Sequence, residues 1–197
     1  MSTGNDKPDA TFSAMNPSVR AYAWTLQIIG LAIAYAVTGK LGTFLAIPPG
    51  YATAIWPPSG IALAAILLYG HRIWPGVFIG AFLVNFSNAV VAGSLAETLT
   101  SVVITLAMSC GASLQAVAGA YLVHRYAGFP NSLTREKEVL LFFLFGGILS
   151  TLVNSTISVS ALVAAARVPT TNFLTSWGTW WMGDALVLLC QIHSRAT

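Results

Sequence analysis

Between Lys40 and Glu97 the chain carries a single formal charge, Arg72. A stretch this long and this apolar has no means of covering itself in water, so it points to lipid. It cannot, however, be one continuous helix. Two apolar runs sit back to back, each opening with tryptophan, proline and glycine: Trp56-Pro57-Pro58-Ser59-Gly60 and Trp74-Pro75-Gly76, with the turn Gly70-His71-Arg72 between them. Proline lacks a backbone donor and disfavours helix in the residue before it, so Pro57-Pro58 must begin or break a helix. From Ser59 to Gly70 the run would span roughly 18 Å as helix, well short of a bilayer core. The Trp-Pro-Pro break is therefore expected at membrane depth, where irregular backbone survives only against protein or a water-lined cavity.

The rest of the chain agrees with a membrane protein. Apolar residues make up 56% and charged residues 8% of its 197 positions, too few charges to coat a soluble globule. The formal charge of +3 is spread between apolar runs, which excludes a nucleic-acid partner. Cys110 and Cys190 lie in apolar runs, where they are expected to be small buried residues, and share no ligand spacing with His71, His124 or His193. No cofactor or metal is expected. Phosphate loops, nucleophile elbows and paired catalytic carboxylates are absent from the sequence, so no enzymatic activity is expected.

The pattern predicts an all-α, polytopic bundle of about six transmembrane helices. They are expected at 21–46, 53–69, 73–91, 99–123, 139–166 and 173–190, all meeting the length rule, with the second and sixth at its short limit. Residues 1–20 are expected as a disordered cytoplasmic N-terminus and 191–197 as a short cytoplasmic tail. Orientation follows from basic residues. With the N-terminus inside, the inner segments hold Lys7, Arg20, Arg72, Arg125, Arg135, Lys137 and Arg195, whereas the outer ones hold only Lys40 and Arg167. Both termini are thus expected in the cytoplasm. In the fourth helix Ser109, Gly111, Ala112, Ser113, Ala116, Gly119 and Ala120 form small faces suited to close packing, inside the bundle or between two copies as a homodimer.

Three segments carry a family likeness: Ala54 to Ala65, Gly70 to Asn85, and Trp180-Trp181-Met182-Gly183-Asp184-Ala185-Leu186. In these the chain resembles the membrane-associated sensor domain family, type one (MASE), over about 39–186. That resemblance implies the membrane input part of a bacterial signalling protein, such as a diguanylate cyclase or a histidine kinase, in the inner (plasma) membrane. It also implies a cytoplasmic output partner of cyclase or kinase type, besides the lipid bilayer itself. The chain departs from the family pattern after Leu186, where a glycine and a longer apolar helix usually follow. Neither a Gly-Gly-Asp-Glu-Phe signature nor a kinase domain occurs in these residues, so output is expected from a domain lost by truncation or from a separate protein.

The polar residues at membrane depth define the candidate site. Asp184 is the sharpest, because a carboxylate there costs about 3 kcal/mol unless it is paired, protonated or wetted. It is read either as a ligand or coupling site facing the interior, or as an anchor bonded to helix-terminus amides or to Lys40. Asn85 and Asn88 share one helix face, and Asn154 lies mid-helix. With Trp56, Pro57, Pro58, Ser59, Trp180 and Trp181 these residues are expected to gather in the outer half as a ligand pocket roofed by the Trp-Pro-Pro break. Glu97 is read as a solvated charge. Two functions fit: a sensory input module for a small ligand or membrane condition, or a six-span solute-binding component of a transporter.

Overall fold

The computed structural model describes residues 16–44, 53, 55–89, 94–128 and 135–196, and among these it contains six helices and no strand. They are α1 (Pro17–Thr43), α2 (Pro57–Tyr69), α3 (Trp74–Ala89), α4 (Leu95–Ala127), α5 (Glu136–Ala164) and α6 (Phe173–Ala196). Local chemistry sets most boundaries. Asn16 caps α1 by accepting the Ser18 N–H at 3.2 Å, with Pro17 at the first helical position, so the helix starts four residues before the expected Ala21. Pro57 and Pro58 open α2, where missing N–H groups cost nothing, and this shortens it from the expected start at Thr53. Gly70, at φ 85°, closes it in a conformation that L side chains resist. The start of α4 moves from the expected Leu99 to Leu95 because Ser94 and Glu97 form a reciprocal capping box, the Ser94 N–H donating to Glu97 Oε2 at 2.9 Å and the Glu97 N–H to Ser94 Oγ at 3.3 Å. Glu97 is thus a capping residue rather than a merely solvated charge. The α6 backbone continues past the expected end at Cys190 to Ala196.

Only α1, α4 and α5 are both long and apolar enough to cross a membrane by length and composition among the described residues. The expectation that all six helices meet the length rule is corrected here: α2 has 13 residues and α3 has 16. The arrangement supplies the reason α2 can be short. Helices α1, α3, α4, α5 and α6 pack in that order as a wall, and α2 sits inside it against α1, α4 and α6. Its Pro58, Ser59, Gly60, Ala62, Leu63, Ile66 and Leu67 are buried. A helix walled by protein need not match the bilayer, since its ends are satisfied by neighbouring side chains.

The main core gathers Leu31, Tyr35, Leu63, Ile66, Ile73, Val77, Val123 and Phe142. Outside it, α1 presents Tyr22, Leu26, Ile29, Ile33, Val37 and Leu41 outward, as a lipid-facing helix must. Cys110 is exposed, so it faces outward with them and is not the buried residue expected. The small face of α4 packs inside the chain: Ser109, Gly111, Ala112, Ser113, Ala116, Gly119 and Ala120 are buried. Hydroxyls in this setting bond back along their own helix, as Ser109 Oγ does to Thr105 O at 2.7 Å and Ser113 Oγ to Ser109 O at 2.8 Å. At the end where α1 starts, the Trp24 ring has two guanidinium groups over it, Arg20 at 5.4 Å and Arg72 at 4.9 Å, which ties the start of α1 to the α2–α3 turn.

Within α5 the residues Phe143–Leu149 form a π-helical segment that contains Gly146 and Gly147. A shift from α to π pairing frees carbonyls from the regular ladder. The Trp181 indole N–H donates to Ile148 O of this segment at 3.1 Å, an oxygen that also accepts from Thr151 Oγ1 at 3.0 Å.

Candidate functional site

Asp184 lies on α6 with no exposed surface. Its Oδ2 accepts from Asn154 Nδ2 at 3.1 Å, and Asn154 Oδ1 in turn accepts from Ser158 Oγ at 2.9 Å. This places an amide of α5 beside the carboxyl, and a missing side chain on α4 admits it: a Cβ on Gly111 would stand 2.8 Å from Asn154 Oδ1. Gln115, one helical turn further along α4, also interacts with the carboxyl through its side chain. Among the described residues no basic side chain pairs with Asp184. Lys40 does not serve as the suggested anchor, because its Nζ donates to Ser87 Oγ and Asn88 Oδ1, both at 3.1 Å.

The Trp-Pro-Pro break docks directly on the helix that carries this carboxylate. The Trp56 N–H donates to Gly183 O at 3.0 Å. Ser59 Oγ bridges the two elements, donating to Trp56 O at 2.9 Å and lying 3.3 Å from Asp184 O. Two prolines in succession leave the start of α2 poor in donors, so Trp56 and Ser59 supply the bonds that hold it. Tyr35 of α1, also buried, completes the cluster: its hydroxyl meets the Trp56 indole and lies within electrostatic reach of Asp184.

A cavity of about 40 Å³ opens beside Asp184, lined by Thr43, Thr53, Trp56, Asn85, Asn88, Ser101, Ile104, Met108, Leu162, Arg167 and Trp180. These positions come from the ends of α1, α3 and α5 and the first halves of α4 and α6 with the residues before α2, away from the end of the bundle where α1 starts. Its apolar wall is a small cluster of Ile104, Met108 and Leu162 with Trp180 against it. The volume would take roughly three water-sized groups, given the 10–15 Å³ that one water centre needs.

Of the residues singled out in the sequence, Trp56, Asn85, Asn88, Trp180 and Asp184 line this cavity. Ser59 and Asn154 stand behind it in contact with Asp184. Pro57 and Pro58 shape the break and do not line the cavity. Trp181 is turned elsewhere, stacked on Trp177 at 6.1 Å and bonded to the π segment. The sequence reading missed Tyr35, Ser101, Gln115 and Arg167. Gln115 had a signal, being the one amide in α4 and polar at membrane depth, which is the rule that exposed Asp184. Arg167 was weighed only as a charge that sets orientation. Among the described residues no group of three His, Cys, Asp or Glu could hold a metal ion.

Comparison with known families gives one match: the family model described as MASE1 covers residues 25–190, extending the likeness read from the motifs at both ends. No curated protein and no solved structure matches the chain.

Proposed function

The chain belongs to the MASE1 family of membrane-associated sensory domains, and on that premise we propose that it is the input module of a bacterial inner-membrane signalling system. Its cavity is the sensing site, with Trp56, Asn85, Asn88, Trp180 and Asp184 facing the stimulus, Ser59 and Asn154 holding the carboxylate, and Pro57-Pro58 keeping the break open. Both termini lie in the cytoplasm, which puts the cavity at the outer side. The output partner is a cyclase or kinase type of domain or protein.

One observation carries this reading. The break that borders the cavity is bonded to α6 at Gly183 and Asp184, and α6 leads towards the C-terminus. A ligand that favours one position of Trp56 therefore favours one position of α6, and a differential preference of this kind is what a transmitted signal requires. The transporter reading has no comparable observation in its favour.

The test fuses the chain to a cytoplasmic reporter enzyme. Asp184→Asn and Trp56→Ala should change reporter output while membrane insertion, measured by fractionation, stays intact. A cysteine placed at Asn88 should react with an impermeant thiol reagent added from the periplasmic side. Unchanged output from both variants would refute the sensing role, and labelling only from the cytoplasmic side would refute the orientation.

A further inference from the structure

Resting on the reading of the cavity as the sensing site, we infer that Asp184 holds a small monovalent cation, an alkali-metal ion or ammonium, through its unpartnered Oδ1, with the Gln115 side chain beside the carboxyl. The first ground is an orphaned pair of acceptors. Asp184 Oδ1 is fully buried and has no hydrogen-bond partner, its other oxygen being taken by Asn154. Gln115 Oε1, on a buried side chain that interacts with that carboxyl, has none either. Buried oxygens without a donor are rare in folded proteins and signal a missing positive partner or donor.

Charge selects the class. The groups around Asp184 from every packed element are Tyr35 on α1, Ser59 on α2, Gln115 on α4 and Asn154 on α5, none of them cationic. Lys40 is committed to Ser87 and Asn88, and Arg167 lines the same cavity without an ion pair to Asp184 among the described residues. A single carboxylate among neutral hydroxyl and amide side chains is neutralised by one positive charge. A divalent ion would leave an excess charge in a low-dielectric interior, and calcium or magnesium sites draw on more carboxylates or many waters. Size agrees: about 40 Å³ accommodates a small ion with one or two waters and excludes a bulky quaternary ammonium. Position gives the ion a consequence, because the peptide carbonyls of Gly183 and Asp184 are the ones bonded to Trp56 and Ser59. Binding at the carboxylate would bear directly on the docking of α2 against α6.

The full chain, in lipid nanodiscs at fixed pH and ionic strength, is titrated by replacing choline chloride with sodium, potassium or ammonium chloride. Melting temperature and tryptophan fluorescence are followed. The expected result is a saturable rise in Tm of several degrees with at least one small cation relative to choline. Asp184→Asn should abolish it, and Gln115→Leu, which keeps the side-chain shape, should raise the required concentration about tenfold. Equal Tm in all four chlorides overturns the proposal, as does a response unchanged in both variants. So does a response to pH with no difference among the salts, which would mean that a proton alone neutralises the carboxylate. If reporter output changes in Asp184→Asn without any ion effect, the sensing reading stands and the ion falls. If the ion effect is present but output is indifferent to Asp184, the reverse holds.

Discussion

Substituting Gly111 by alanine should uncouple Asn154 from Asp184, although it adds one carbon on a different helix. The new Cβ would sit 2.8 Å from Asn154 Oδ1, against 3.4 Å for ordinary contact, so the amide must retreat by about 0.6 Å. The Asn154–Asp184 bond, at 3.1 Å, does not survive a shift of that size away from the carboxyl. Overpacking costs about 1–3 kcal/mol, and a lost hydrogen bond to a charged acceptor about 1.5–3 kcal/mol. Together they set an expected loss of about 2.5–6 kcal/mol, or roughly 5–24 °C in Tm at about 2–4 °C per kcal/mol. Asn154→Ala should remove the collision, leaving Ile157 Cβ at 3.3 Å as the nearest atom. In that background Gly111→Ala should cost less than about 1 kcal/mol, so a double-mutant cycle should show a coupling of about 2 kcal/mol. The control is Gly30→Ala, where a Cβ meets nothing within 4 Å. Circular-dichroism melts of the four combinations in one detergent supply the data. Additive costs for Gly111→Ala and Asn154→Ala would refute the steric route by which α4 governs the carboxylate.

Two further outcomes are expected. Ala166 occupies the left-handed region at φ 55° in the turn that ends α5, where the Arg167 N–H reaches Leu162 O at 2.9 Å and the Ala166 N–H reaches Val163 O at 3.0 Å; Ala166→Gly should relieve about 1 kcal/mol of strain and raise Tm by a few degrees in the same melts. At the α1–α3 crossing a Cβ on Gly80 would come within 2.6 Å of Tyr35 Cβ and 2.8 Å of Ala32 O, so Gly80→Leu should cost about 3 kcal/mol or more and abolish the monodisperse peak on size exclusion, whereas Gly30→Leu should elute as wild type.

How much of the site was legible follows from the kind of signal each residue gives. Asp184 stands out because an ionisable group at membrane depth is costly wherever its neighbours lie. The asparagines and the Trp-Pro-Pro break stand out for related reasons, since amides need partners in lipid and proline removes donors. Trp181 was grouped with them by its neighbour Trp180, but one residue along a helix is a turn of about 100°, which carries its ring to the π segment of α5. Tyr35 gave no signal, because a tyrosine in an apolar helix reads equally as an interfacial residue. The cap at Ser94 was legible as a serine followed three residues later by glutamate, and was passed over in favour of the apolar run that begins at Leu99.

By itself the sequence determined the class and the elements: too few charges for water, prolines that must start a helix, glycines that must end one, and basic residues gathered at alternate turns. These are local constraints, each satisfied within a few residues of the chain. Only the tertiary structure decided that the short α2 lies inside a wall of the other five helices, that Lys40 answers to Ser87 and Asn88 and not to Asp184, and that two motifs 125 residues apart meet at Ser59 and Asp184. The physical reason is that lipid offers helices no hydrophobic preference for one neighbour over another. Their order is chosen by where small residues let backbones close and where buried polar groups find partners, and both depend on surfaces brought together from distant parts of the chain.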